Sequence, residues 1–374
     1  MCCQIRLALV VIVHHLSSQN PEMHIYIRGT GIISAQRTFR SSALSMEAVE
    51  YSGNRLGCIE PDYKDIIDVK FIRRMSRIIK MGVASAMECL KVAGLNQPDA
   101  IITGTAYGCL EDTVVFLKKM VENKEEMLSP AAFIQSTHNT VGAQISLMLK
   151  CNNYNNTFTN RGFSFESALL DSMMLLKEKE ANDVLVGGVD EITDMSHAVL
   201  NRFGLYKKGD VSNQQLFNYN TKGTIAGEGA AYFVLSNREA KNNIARLDAM
   251  NTFYKPKDIS TIEQNILTFL DNQEIKIDDI DLVITGRNGD LKGDNIYDRV
   301  NSNIFKKNTI INYKHLSGEY PTSIAFAMWL AVHSLKQEKI LFHEKVNIEK
   351  KFKKVLIYNN FMNIHHSLLL FSSC

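Results

Sequence analysis

Proline is scarce in this sequence, six among 374 residues, and no low-complexity tract interrupts it. A chain with so few breakers leaves little room for extended disorder. An excess of one charge is missing as well: 42 basic residues face 40 acidic ones, for a formal net charge of +2. That balance points neither to nucleic acid nor to an anionic membrane as a partner. Long apolar runs are wanting too. Residues 7–13 form a short one, at the lower limit for a signal-peptide core and too short to cross a bilayer. No other segment approaches the roughly 18 uninterrupted apolar residues of a membrane span. The seven cysteines, Cys2, Cys3, Cys58, Cys89, Cys109, Cys151 and Cys374, lack the short paired spacings of a zinc site. Their odd number in a long chain suggests reduced thiols and a cytoplasmic protein. The glycines of "GTIAGEG", residues 223–229, lead into a strand and not into a phosphate-binding helix. No metal or other cofactor is expected.

What is present is a core. With 45% hydrophobic and 22% charged residues, the chain is long enough for two domains or one large one. Residues 1–22 read as an upstream extension, with Met23 the functional start; a weak export signal and a disordered arm are the alternatives. From there the pattern alternates. Residues 24–33 read as a strand, 76–93 as an amphipathic helix closed by Gly94, 99–105 as a buried strand and 109–124 as a helix. Residues 129–150 read as a loop and a helix. A strand then leads into a tight turn at Gly162, a helix, and strands at 184–187 and 230–236. The second half repeats this in weaker form: helix 260–271, strand 281–286, a loop and helix, strand 308–313, helix 322–336, strand 354–358 and a last strand in "SLLLF". Strands alternating with helices imply α/β layers with largely parallel pairing. The two halves, 23–240 and 241–374, look like versions of one unit.

The turn at Gly162 raises a chemical question. A strand-to-helix corner is where acyl-transfer enzymes often place a nucleophile, because the helix N-terminus favours an anion there. Glycine has no side chain to offer.

The ordered segments resemble the β-ketoacyl synthase family of the thiolase-like superfamily, over residues 23 to about 371. "IRGTGIIS" is similar to the family's opening strand and turn, and "RRMSRIIKMGVASAMECLKVAGL" to its first long helix. "ITGTAYGCLED" resembles its Gly-Thr loop, and "SPAAFIQSTHNTVGAQIS" its substrate-side loop and helix. "NDVLVGGVDE" and "GTIAGEGAAYFVLS" are the more specific matches. The resemblance implies a thiolase-like α-β-α-β-α layered fold built from two pseudo-duplicated halves.

It also implies a site of one Cys, two His and a Lys. The Cys accepts an acyl chain from a carrier-protein thioester, and the His pair promotes decarboxylation of a malonyl thioester. The Cys position holds Gly162, the first His position Gly286 and the second Glu319; Lys314 is retained. The family's glycine-rich loop appears as "NNFMNIHH", keeping Asn359 and Phe361. Losing the nucleophile and both His groups together removes the electrostatic stabilisation that decarboxylation needs. No catalytic residue is expected.

Replacements from elsewhere in the chain are weak. Cys109 and Cys151 have no His at a suitable spacing, and a reactive Cys needs a depressed pKa. Ser164 reads as a helix-start residue bonding to backbone. His365 and His366 lie in the altered loop without a nucleophile, and His138 and Asn139 read as structural. Arg161 and Glu166 bring charge to the corner; they can pair with each other, or Arg161 can reach across a dimer interface. Phe163, Phe165, Met173 and Met174 read as core. Arg161, Phe163, Phe165, Glu166, Phe203 and Phe361 are the acyl-tunnel or dimer-interface candidates.

Within the resembled family, chain-length factors lack the Cys and pair with a competent ketosynthase. They shape the tunnel for the growing chain in polyketide and aryl polyene pathways. The expectation is therefore a non-catalytic partner of an active ketosynthase in carrier-protein-dependent polyketide, aryl polyene or fatty-acid-type elongation. Its partners would be that subunit and the acyl carrier protein, with residues 157–161 pairing across the dimer two-fold. Two alternatives stand beside it: an active condensing enzyme with relocated residues, and a stand-alone acyl or small-molecule binding protein.

Overall fold

A computed structural model describes residues 24–41, 48–336 and 351–374. The expected extension 1–22, Met23, Cys2 and Cys3 lie outside the described residues. In the first half β1 (Ile25–Ile33) precedes α1 (Arg77–Ala93) and β2 (Ala100–Gly104). Next come α2 (Leu110–Glu122), α3 (Pro130–Gln135) and α4 (Thr140–Leu149), then β3 (Tyr154–Phe158) and α5 (Ser164–Lys177). The half ends with β4 (Asp183–Asp190), α6 (Asp194–Arg202) and β5 (Gly229–Ser236). The second half runs β6 (Ala245–Tyr254), α7 (Ile259–Asp271), β7 (Leu282–Thr285), α8 (Leu291–Asn303), β8 (Thr309–Asn312), α9 (Ile324–Leu335), β9 (Lys354–Phe361) and β10 (His365–Ser372).

All ten strands join one sheet in the order β3-β2-β4-β5-β1-β6-β10-β9-β7-β8. The duplication is visible in that order. On one side β3, β2 and β4 are parallel, and β5 runs antiparallel to both β4 and β1. On the other, β8, β7 and β9 are parallel, and β10 runs antiparallel to both β9 and β6. The halves meet at β1–β6, with Ile25 opposite Leu247.

Side-chain alternation sorts these strands into layers. Val184 and Val186 point into an inner core with Leu282, Ile284, Val355 and Ile357 of the other half. The intervening Leu185 faces outward to α1 and α4, while Val283 and Leu356 face outward to α7 and α8. The inner core is filled by α5 and α9. Every residue of α9 is buried, as its all-round apolar sequence requires. The architecture is the expected α-β-α-β-α fold. No helix among the described residues is long and apolar enough to cross a membrane.

Several local expectations change. The strand before the corner spans Tyr154–Phe158, not 157–161. It stops because Arg161 takes a left-handed φ of +48° and Ser164 Oγ captures the Asn160 N–H. Residues 129–150 form two helices. Strand β9 continues to Phe361. Strand β6 and helix α6 were not expected. Gly94 closes α1 in the left-handed region at φ +69°, as anticipated.

One side chain ties the halves together. Asp190, at the end of β4, accepts from Thr105 Oγ1 (3.1 Å) and Ala106 N (2.8 Å) on one oxygen. Its other oxygen accepts from Thr322 N (3.1 Å) and Thr322 Oγ1 (2.8 Å), just before α9. Asp190→Ala leaves those buried donors unsatisfied and should cost about 2–4 kcal/mol. Urea unfolding at neutral pH measures it, with Asp190→Asn losing less because one acceptor is kept.

Candidate functional site

The corner is built by a few local bonds. After β3 a single 3-10 turn, Arg161–Phe163, feeds α5. Ser164 Oγ accepts from Asn160 N at 2.9 Å and donates to Arg161 O at 2.8 Å, the behaviour expected of a helix-start serine. Gly162 is buried beneath the β9–β10 hairpin. A Cβ placed on it would lie 2.8 Å from Phe361 Cδ1, 2.9 Å from Phe361 Cβ and 3.0 Å from His365 Cγ. Those separations are below normal carbon contact, so the volume of a nucleophile is already occupied.

The other two altered positions are filled in the same way. A Cβ on Gly286 would run into the Asn359 side-chain oxygen and come within 2.6 Å of Tyr297 Oη. That Asn359 oxygen accepts from Tyr313 Oη at 2.8 Å. Glu319 accepts from Lys314 Nζ at 2.5 Å and from Asn288 Nδ2 at 2.7 Å. Lys314, 0% exposed, also donates to Ser323 Oγ at 2.5 Å. Lys314 is thus neutralised by Glu319, and burial lowers its pKa while Glu319 and Glu166 hold it up.

A fourth group completes the cluster. Glu166, in the first turn of α5, is buried and accepts from Ser367 Oγ of β10 at 2.5 Å. Its second oxygen has no partner among the described residues. The anticipated Arg161–Glu166 pair does not form, because Glu166 turns inward to β10 while Arg161 stays exposed. Burial pushes the Glu166 carboxyl up to about 7, against the pull of Ser367 and Lys314.

The remaining candidates fall apart in space. Phe165 is core, its ring 6.0 Å from Phe233. Phe163 packs edge-on to His365 at 4.7 Å. Phe203, 77% exposed at the end of α6, is not part of the corner cluster. His366 stacks on Phe253 at 4.9 Å and shares a 3.1 Å hydrogen bond with Tyr358 Oη; burial drives its pKa down to about 4. Met173 is core and Met174 partly exposed. His138 packs under Gly108. Cys109 is buried, and burial with Asp112 and Glu191 pushes its thiol well above the ordinary range. Cys151 is buried and donates to Pro98 O at 3.6 Å. Neither thiol has the surroundings of a nucleophile. Tyr297, Tyr313, Asn288 and Ser367 belong to the cluster and carry no sequence signal of their own; each is brought in by a long-range contact.

Two predictions follow from this packing. Gly162→Cys should destabilise the protein by about 1–3 kcal/mol through overpacking, and the loss in Gly162→Cys with Phe361→Gly should be smaller than the sum of the two single losses, because both Phe361 contacts are then removed; chemical denaturation of the single and double variants measures both. The second concerns pH. Glu166 and Glu191, each at about 7, and Asp190, at about 6, are raised by burial, so folding takes up protons there. Their contribution is full at low pH and is lost as pH rises through 6 to 7. His366 acts oppositely, but only below the ordinary 6.5. Stability should therefore rise on going from pH 8 to 6.5. The stability gap between the native chain and Glu166→Gln should shift by about 1 kcal/mol between pH 6 and 8, in favour of the variant at pH 8. A gap independent of pH would contradict this assignment.

Residues 62–203 match the family model of the β-ketoacyl synthase N-terminal domain. No curated protein matches the sequence. Among solved structures, the ishigamide ketosynthase/chain length factor superposes with a TM-score of 0.77 at 17% identity, covering 95% of this chain and 100% of that one. A β-ketoacyl synthase from Burkholderia phymatum STM815 gives 0.76 at 14% identity, covering 94% and 100%. The ketosynthase (ApeO) in complex with its chain length factor (ApeC) from Xenorhabdus doucetiae gives 0.73 at 15% identity, covering 95% and 100%. At such identities the likeness is one of fold.

Proposed function

We propose, for a chain whose residues 62–203 match the β-ketoacyl synthase N-terminal domain and whose fold is that of ketosynthases, that it is the non-catalytic, chain-length-factor partner of an active ketosynthase. It would serve carrier-protein-dependent elongation of the polyketide or aryl polyene kind. The observation that carries this reading is the filled corner. Gly162 offers no nucleophile, and Phe361 and His365 occupy the volume in which one would sit. The two other altered positions are closed by Asn359 with Tyr297 and by the Lys314–Glu319 pair. A site repacked at three positions favours a chain whose role is played by its outside and its scaffold.

The outside suits pairing. Strand β3 is one edge of the sheet and, among the described residues, pairs only with β2. An open edge is a liability unless something covers it. Helices α2 and α3 contain no buried residue and expose Val115, Leu117, Phe133 and Ile134. The neighbour from Xenorhabdus doucetiae is a complex of a ketosynthase with its chain length factor, and the reading gives this chain the second role.

Two measurements test it. Incubated with an acyl carrier protein bearing a labelled acyl thioester, the purified chain should take up no label. Uptake abolished by one Cys→Ala substitution would instead establish relocated catalysis. Affinity purification of the tagged chain from its native host should bring down a stoichiometric ketosynthase with an intact Cys and His pair. A homodimer that brings down no ketosynthase overturns the proposal.

A further inference from the structure

Arg161 has an unusual place. It is exposed, it sits at the corner itself, and its φ of +48° lies in the left-handed region. A non-glycine residue there costs about 1 kcal/mol, and the Ser164 bonds to Asn160 and Arg161 hold it so. Among the described residues no carboxylate or other acceptor meets its guanidinium. The nearby acids are engaged: Asp190 is buried under four donors, and Glu166 is buried against Ser367.

Its surroundings are aromatic. The next residue, Gly162, lies against the His365 ring, where a Cβ would come within 3.0 Å of His365 Cγ. The His365 ring lies 4.7 Å from Phe163 and 5.3 Å from Tyr254. Tyr254 and Met362 are 59% and 51% exposed. Tyrosine, phenylalanine, methionine and a single arginine make the composition of an interface core. The patch is continuous with the open edge of the sheet, since β3 ends at Phe158, just before the corner.

We propose that Arg161 anchors the partner subunit by taking one of its carboxylates into this aromatic surround, an inference that rests on the ketosynthase-partner reading above. A guanidinium covered by a partner needs an acceptor, because a charge buried without one is strongly unfavourable. Its planar fork suits a carboxylate in a way a lysine does not. The surface therefore fits a subunit that presents an Asp or Glu where it meets the corner.

The test uses the full chain and the ketosynthase that co-purifies with it, with the dissociation constant measured for the native chain and for Arg161→Glu, Arg161→Gln and Arg161→Lys. Arg161→Glu should weaken pairing at least about 30-fold, with Arg161→Gln and Arg161→Lys in between. Thermal unfolding of each isolated variant should match the native chain, since the side chain is exposed and makes no bond within it. Pairing of Arg161→Glu within about 3-fold of native would overturn the anchor and leave the ketosynthase reading standing. If the native chain pairs with no ketosynthase, or only with a second copy of itself, both fall.

Discussion

Two helices fill the only space between the halves of the sheet, and the rest of the molecule is arranged around that constraint. Helices α5 and α9 share the inner core, and their N-terminal ends converge on β4. A Cβ on Gly188 would meet Phe165 of α5 at 3.0 Å and Ala325 of α9 at 3.2 Å. Asp190, two residues on, fastens the start of α9 to the loop after β2. The two corners of the duplicated unit are therefore driven together by packing alone. The candidate cluster, with Glu166 in the first turn of α5 and Ser323 just before α9, lies where these helix ends meet.

In this chain that meeting point is a packed interior. Lys314 keeps its place, but its charge is matched by Glu319 and its geometry is completed by Ser323. Asn359 and Tyr297 share the space beside Gly286, and Phe361 and His365 cover Gly162. Two carboxylates and one ammonium remain buried together, which leaves a surplus negative charge if all are ionised. Burial raises the Glu166 pKa, and a protonated Glu166 removes that surplus. Polar interiors of this kind hold their parts in one arrangement because each partner constrains the next.

The layered fold was legible because its signals are local: apolar strands, turn glycines and helical repeats in succession. The long-range contacts of the candidate cluster were not. Ser367 and Glu166 are 201 residues apart in sequence, and nothing near either marks the bond. Strand β6 was hidden by its own composition: its buried positions include the small Ala245 and Ala249, and Arg246 and Asp248 stand between. Helix α6 starts with a Thr193–Ser196 capping box, a weaker signal than one closed by Glu. Arg161 was noticed as a charge, but its partnering depended on which way Glu166 turned, which only the packing of β10 decides.

The cover over Gly162 has a consequence for how the protein is made. Phe361 and His365 belong to β9 and β10, and β10 inserts between β6 and β9 after every other described strand has been synthesised. Domains emerge from the ribosome N-terminal part first, so β3, Arg161 and the start of α5 exist before anything can seal the corner. The aromatic patch around Arg161 is likewise incomplete until Met362 and His365 arrive. Recognition through that patch is thereby restricted to chains translated through β10, and an incomplete nascent chain has no finished surface with which to recruit a subunit.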